Sequence, residues 1–138
     1  MSVLRAFAKA FSNKECFGYE KIYVLVDLHG TLIKPVHQHI PMQFYEHSLI
    51  AMKLMSLRDD ICLILWTSSH EDKIEEAIHE LDKRGIRIDY VNENPEAEDN
   101  EWFCGSKKLY FDVGLDDRFG FDAENDWFEL VKYFTAKK

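Results

Sequence analysis

The chain has 138 residues, of which 46% are aliphatic, aromatic or cysteine and 30% are charged. This composition excludes a disordered chain, and the length suits one domain with a hydrophobic core better than two. The formal net charge of −8 comes with no basic stripe, which argues against binding to the phosphate backbone of duplex nucleic acid. A phosphorylated small molecule is compatible with this charge if a divalent cation mediates the contact.

Cysteine usage and the short apolar runs predict a cytoplasmic protein. The three cysteines form no CxxC pair and leave one unpaired in any disulfide scheme, which fits a reducing compartment. No apolar run reaches membrane-spanning length, and the first residues lack the apolar core of a signal peptide. We therefore expect no contact with a membrane.

In chain order, helical spacing and apolar runs predict alternating helices and strands. The expected helices are 2–14, 41–59 with Pro41 in its first turn, 70–84 with Ser69 as N-cap, and 123–136. The expected strands are 21–26, 61–66, 86–91 and 109–115. Between them we expect an irregular excursion at 32–41 and a polar acidic loop at 92–106.

This order of elements predicts an α/β fold: a doubly wound, Rossmann-like parallel sheet with helices on both faces and minimal or no cap. We expect a single domain over 1–138, with its core at about 21–120 and the two terminal helices packed on it. The apolar N-terminal helix offers an alternative, which is contact with a partner such as a second copy of the chain. The short span between the first two strands predicts an open crevice.

Acidic residues close two of the expected strands. Asp27 follows the first strand, Thr67 the second, and Asp116 with Asp117 the fourth. Because ligands of doubly wound sheets bind beyond the carboxyl ends of the strands, we expect these residues to meet at one edge. Converging carboxylates repel one another unless a cation neutralises them, and an all-oxygen set suits Mg²⁺. For one carboxylate alone, a helix cap or a turn would be the simpler interpretation.

The same edge has the groups that phosphoryl transfer needs. Asp27 can serve as nucleophile as well as metal ligand, because carboxylates form acyl-phosphate intermediates. Thr67, with Ser68 beside it, can bind phosphoryl oxygens through hydroxyl and backbone N–H groups. Lys107 or Lys108, just before the fourth strand, can bring positive charge to the transferring group.

Four motifs in this order resemble the haloacid dehalogenase (HAD) superfamily. The stretch DLHGTL resembles its first motif, DxDGT; LILWTS resembles the second; and KKLYFDVGLDDR is similar to the third and fourth. More narrowly, residues of about 21–120 resemble the small, nearly capless HAD hydrolase-like proteins, and the terminal helices lie outside the match. The resemblance implies a Mg²⁺-dependent phosphatase that works through an aspartyl-phosphate intermediate.

Residue by residue, the resemblance implies Asp27 as nucleophile and metal ligand, and Thr67 as phosphate binder. It implies Lys108 as the cation that steadies phosphate and nucleophile. Of the acidic pair, Asp117 is the expected direct metal ligand. Asp116 is expected at the same metal site, where it either supports the direct ligands from behind or pairs with the lysine. The substrate would be a small phosphorylated molecule such as a nucleotide or, less favoured, a nucleic-acid end.

His29 stands where the family's phosphatases have the acid that protonates the leaving group. The family's metal contact at this position is the backbone carbonyl, which a histidine still provides. Histidine also exchanges protons near neutral pH, so His29 can act as the acid–base group. Two hypotheses follow: a slow or specialised Mg²⁺-dependent phosphatase, or a non-catalytic protein that keeps the fold and the ion for binding or interaction.

Other polar residues each have two interpretations. His37 and His39 can complete a transition-metal site with His29, but exposed loop histidines are the simpler interpretation. Asn92 and Asn94 follow the third strand, and they either line the pocket or form an Asx turn.

Overall fold

The computed structural model describes residues 3–35, 41–98 and 109–137, so Lys107, Lys108, His37 and His39 lie outside the described residues. The helices are α1 (Val3–Phe17), α2 (Ser48–Ser56), α3 (Glu71–Lys83), α4 (Pro95–Glu98) and α5 (Asp126–Ala136), with a 3₁₀ turn at Asp117–Phe119. The strands are β1 (Ile22–Asp27), β2 (Ile61–Trp66), β3 (Tyr90–Val91) and β4 (Val113–Leu115). None of the helices in these ranges has the length and apolarity needed to cross a membrane.

The strands form a parallel four-stranded sheet in the order β3-β2-β1-β4, which confirms the predicted α/β, Rossmann-like class. The chain runs outward from β1 through β2 to β3, and then returns to place β4 on the other side of β1. This reversal makes the carboxyl ends of β1 and β4 the switch point, where ligands of such sheets bind.

The larger hydrophobic core lies between one face of the sheet and helices α1, α2, α3 and α5. It contains alternate residues of the central strands, such as Val24, Val26 and Leu63, together with Phe7 of α1 and Trp127 of α5. Both aromatic side chains are fully buried. The apolar side of α1 therefore packs on the domain, which is the first of the two alternatives for this helix.

The second face of the sheet has a thinner cover. Ile64 packs there with Tyr90 and with Phe111, which precedes β4. The short helix α4, which lies in the predicted acidic loop, joins this face through Glu96. The Glu96 carboxylate accepts hydrogen bonds from Lys21 at 3.0 Å and from the Tyr90 hydroxyl at 2.8 Å. Among the described residues, helices thus pack on both faces, but unequally.

The third and fourth strands are shorter than predicted because aspartate side chains replace part of the backbone ladder. Leu63 N donates to Asp89 Oδ2, and Tyr23 N donates to Asp112 Oδ2, both at 2.8 Å. Each carboxylate accepts a backbone N–H of the neighbouring strand at the point where a longer β3 or β4 would supply a backbone carbonyl. The predicted amino ends of these two strands are therefore wrong.

Helix α2 begins at Ser48, so the predicted helix start at Pro41 is wrong. The preceding residues pair with the chain after β1 instead, since Lys34 N donates to Gln43 O at 2.8 Å and Tyr45 N donates to Leu32 O at 3.1 Å. This antiparallel pairing keeps the chain out of the helix until residue 47, whose φ is 69°. The described part of the span between β1 and β2 contains this pairing and α2, with no second domain.

Candidate active site

Asp27, Asp116 and Asp117 meet at the switch point, where the strand pattern predicts them. Asp27 is the last residue of β1, and the other two follow β4, the neighbouring strand. One carboxylate oxygen of each residue lies within 4.8 Å of the others. Asp116 is buried, Asp27 is partly buried and Asp117 is exposed, so the cluster opens to solvent at Asp117.

The buried hydroxyl of Thr31 holds two of these carboxylates together. Thr31 Oγ1 lies 3.2 Å from Asp27 Oδ2 and 3.3 Å from Asp117 Oδ1, and it accepts the backbone N–H of Asp117 at 3.0 Å. The Thr31 carbonyl accepts the indole N–H of Trp127 at 2.7 Å, which ties the loop after β1 to α5. Thr31 lies within the first motif, but its position in the sequence gave no reason to expect a contact with the end of β4.

Gly30 leaves the space that Asp117 occupies. Its φ is +85°, and a Cβ at this position would lie 3.1 Å from Asp117 Oδ2. Any other residue would combine left-handed backbone strain with a close contact against this carboxylate. The glycine of the first motif therefore keeps the cradle for the acidic cluster open.

The electrostatics of the cluster fit a bound divalent cation. Burial, and then the charge of Asp116, raises the pKa of Asp27 to about 6. In the described part of the chain, no Lys or Arg forms an ion pair with any of the three carboxylates. Three converging oxygen donors that no described Lys or Arg neutralises, in a cradle that Gly30 keeps open, match the ligand preference of Mg²⁺. The residues present therefore fit the ion that the family resemblance implies.

His29 is held by a chain of hydroxyl groups. Its Nδ1 lies 2.8 Å from Ser69 Oγ, which accepts a hydrogen bond from Thr67 Oγ1 at 2.9 Å. Thr67 Oγ1 also accepts the backbone N–H of Ser69 at 3.1 Å. Ser69 therefore orients the His29 ring. The prediction of Ser69 as the N-cap of α3 is wrong, because α3 begins at Glu71 and has no side-chain cap.

The backbone and the hydroxyl of Thr67 are both hydrogen-bonded to other residues of the protein. Its backbone N–H donates to Asn92 Oδ1, and its carbonyl accepts from Asn92 Nδ2, both at 2.8 Å. Since the Thr67 hydroxyl donates to Ser69, neither donor is available without rearrangement. The exposed Ser68 makes no hydrogen bond to the described residues, so its donors are available. Asn92 lines the cavity, as one of its two interpretations expected. Asn94 is buried, and its Oδ1 accepts the backbone N–H of Ala97 and caps α4, so it neither lines the cavity nor forms the expected Asx turn.

A cavity of about 530 Å³ lies beside the carboxylates. Its walls include Asp27, His29, Ser68 and Trp66, and Arg118 from the 3₁₀ turn. The Arg118 guanidinium forms no ion pair within the described residues, so it supplies a positive charge to the cavity. In the sequence, Arg118 is the last residue of the DDR ending, and the family resemblance implies no role for it.

Comparison with known proteins identifies a structural relative and no family. No family model and no curated protein matches the sequence. A solved structure, described as that of a conserved protein coded by a locus from Bacteroides thetaiotaomicron, is 26% identical to this chain with a TM-score of 0.61. The similarity covers 86% of this chain and 93% of that one, and the description states no activity. The chain is therefore similar to this protein over most of the α/β architecture.

Proposed function

We propose that this protein is a Mg²⁺-dependent phosphohydrolase of small phosphomonoesters that acts through an aspartyl-phosphate on Asp27. The observation that carries the proposal is the convergence of three carboxylates, with oxygens within 4.8 Å of one another, at the switch point of the sheet. A catalytic ion needs such oxygens, and a phosphoryl group needs the cavity beside them. The four-motif resemblance to the HAD superfamily supports the same chemistry.

Asp27, Asp116, Asp117 and the backbone carbonyl of His29 are the groups that would hold the ion. When bound, Mg²⁺ neutralises the carboxylates and stabilises charge on the phosphoryl oxygens. Asp116 Oδ1 accepts the backbone N–H of Arg118 at 2.9 Å, which leaves its Oδ2 for the ion. Asp117 is placed by Thr31 and by the space at Gly30.

Asp27 attacks phosphorus in the first half of the proposed reaction, and the bond from phosphorus to the leaving oxygen breaks. His29 donates a proton to that oxygen from Nε2, because Nδ1 faces Ser69. In the second half, water attacks the phosphorus of the aspartyl-phosphate and gives a proton to His29. The carboxylate of Asp27 is then released, so one water is consumed, and one alcohol and one phosphate are formed.

Ser68, Thr67 and Arg118 line the cavity and are the candidates for binding the phosphoryl oxygens. Ser68 offers a hydroxyl and a backbone N–H, whereas Thr67 must first release Ser69 or Asn92 to donate to the same oxygen. Arg118 can pair with two oxygens at once through its planar guanidinium. The family resemblance implies Lys108 as a further cation that contacts the phosphoryl group, and this assignment stays a prediction.

Turnover assays of the purified protein test the proposal directly. With p-nitrophenyl phosphate and a panel of nucleoside monophosphates, we expect turnover that requires Mg²⁺ and falls to background in Asp27→Asn. Asp59→Asn is the matched control, since Asp59 is an exposed aspartate outside the cavity, and its activity should equal that of the wild type. Wild-type rates no higher than those of Asp27→Asn on every substrate would contradict the proposal.

Substitutions of His29 separate this proposal from the non-catalytic alternative. General acid–base catalysis contributes roughly 10²–10⁴-fold, so His29→Asn should slow alkyl phosphomonoesters by about 10²-fold or more. The loss on p-nitrophenyl phosphate should be much smaller, because its leaving group needs no proton. In His29→Asp, a loss of activity would indicate that histidine performs the step. A large gain would indicate that the native site is impaired and would favour the non-catalytic protein.

A further inference from the structure

Trp66 is an exposed aromatic residue in a strand that is otherwise buried. The other five residues of β2 are buried, whereas 39% of the Trp66 surface is exposed. Its indole lines the cavity at the carboxylates and forms no hydrogen bond, ring contact or cation–π contact with the described residues. The contacts that Trp66 makes with the described residues therefore do not explain why this side chain is a tryptophan.

The register of the sheet places Trp66 next to Asp27. The two residues are direct partners across the parallel strands β1 and β2. Side chains alternate along a strand, so Trp66 emerges on the face of Ile64, and Asp27 emerges on the face of Leu25. Leu25 and Ile64 pack in the same hydrophobic cluster, so Trp66 and Asp27 emerge on the same face of the sheet. Because neighbouring strands lie about 4.8 Å apart, the indole stands beside the carboxylate that is proposed to attack phosphorus.

We propose that Trp66 binds the leaving group of the substrate, and that this group carries a planar aromatic ring, either a nucleobase or an aryl group. This inference rests on the proposed phosphatase function and deepens it. A solvent-exposed indole face stacks on any planar π system, and a cavity of about 530 Å³ is within the size range of small-molecule sites. The acidic cluster disfavours further negative charge next to Asp27, so an uncharged ring suits this position.

Matched substrates test the proposal. Adenosine 5′-monophosphate and ribose 5-phosphate differ in the nucleobase, and phenyl phosphate places an aryl ring directly on the leaving oxygen. We expect kcat/KM to be about tenfold or more higher for adenosine 5′-monophosphate than for ribose 5-phosphate, which is the scale of stacking on one aromatic side chain. Trp66→Phe should keep most of this ratio, and Trp66→Leu should reduce it to about one. Phe119→Leu is the control, because Phe119 is exposed but lies outside the cavity.

The two substrates that contain an aromatic ring distinguish a nucleobase from an aryl group. A preference for adenosine 5′-monophosphate over phenyl phosphate that disappears in Trp66→Leu identifies a nucleobase. A preference for phenyl phosphate that decreases about tenfold in Trp66→Leu identifies an aryl group. Equal kcat/KM for all three substrates, or a ratio that Trp66→Leu leaves unchanged, would overturn the proposal while the phosphatase function stands.

A binding measurement keeps the proposal independent of turnover. Equilibrium dialysis of adenosine 5′-monophosphate against Asp27→Asn measures binding without chemistry, and adding Trp66→Leu should weaken it by about tenfold. If no substrate is turned over but this Trp66-dependent binding is seen, the phosphatase function fails and the aromatic subsite stands. If binding is unchanged by Trp66→Leu, the subsite fails whatever the turnover assays give.

Discussion

The metal-free protein should become more stable when Asp27 loses its charge. Burial and the neighbouring Asp116 raise the pKa of Asp27 from 3.8 to about 6. Between these values the folded state holds a proton that the unfolded state has lost, so the free energy of unfolding falls as the pH rises through this window and stays low above it. The difference corresponds to about 3 kcal/mol, which the partial exposure of Asp27 reduces to roughly 2 kcal/mol.

Asp27→Asn removes this charge and keeps the shape of the side chain. In EDTA at about pH 7.5, the free energy of unfolding should rise by about 2 kcal/mol, which raises Tm by about 7 °C for a chain of this length. At about pH 4 the two proteins should be equally stable. Urea unfolding followed by tryptophan fluorescence measures the free energy of unfolding at each pH, and a thermal scan measures Tm. Asp59→Asn serves as the exposed control. Saturating Mg²⁺ should narrow or reverse the difference, because the ion binds the folded wild type more tightly.

Two outcomes would refute this reasoning. Equal stability of the wild type and Asp27→Asn in EDTA near neutral pH would mean that the converging charges cost nothing in the folded state. A difference that persists unchanged at the acidic pH would mean that packing or hydrogen bonding, rather than charge, separates the two proteins.

Three further predictions concern the support of the cluster. Gly30→Ala should lower the free energy of unfolding by about 1 kcal/mol more than Gly18→Ala in urea, because both have positive φ but only at Gly30 would the new Cβ contact a carboxylate; equal losses would contradict the cradle. Thr31→Val should lower the free energy of unfolding by about 1–3 kcal/mol and weaken Mg²⁺ binding about tenfold or more. Ser48→Ala removes a buried hydroxyl that has no hydrogen-bond partner among the described residues, so it should not destabilise; similar effects in both would contradict the bridging role. Ser69→Ala should lower kcat on alkyl phosphomonoesters by about tenfold and leave KM nearly unchanged, and an unchanged kcat would show that His29 needs no such anchor.

The carboxyl ends of the strands are predictable from the sequence, but the amino ends of the outer strands are not. Asp27 and Thr67 follow runs of apolar residues that must be buried, so the pattern marks where these strands stop. Asp89 and Asp112 lie inside stretches that read as strand, yet their side chains accept the neighbouring backbone N–H groups and shorten the ladder. Periodicity does not distinguish a carbonyl acceptor from a carboxylate acceptor.

The candidate metal ligands are predictable, whereas the residues that arrange them are not. Asp117 is found from the strand pattern alone, but its contact with Thr31 depends on the register of β4 against β1. Ser69 matches a helix-capping pattern by spacing, but its hydroxyl contacts His29 and Thr67 instead, which only the folded positions of these residues reveal. Such contacts join residues far apart in the chain, so local patterns carry no information about them.

Helix α5 lies outside the residues that resemble the HAD family, yet it supports the candidate site. Trp127 is fully buried in the core, and its indole N–H holds the carbonyl of Thr31 at 2.7 Å. The hydroxyl of the same Thr31 bridges Asp27 and Asp117, so one residue joins the packing of α5 to the placement of two carboxylates. A buried indole fixes its partner more rigidly than an exposed loop contact does, because loss of this hydrogen bond would leave a polar group unsatisfied in the core. The geometry of the acidic cluster therefore depends on a helix that no motif includes, and the motifs by themselves do not specify the site.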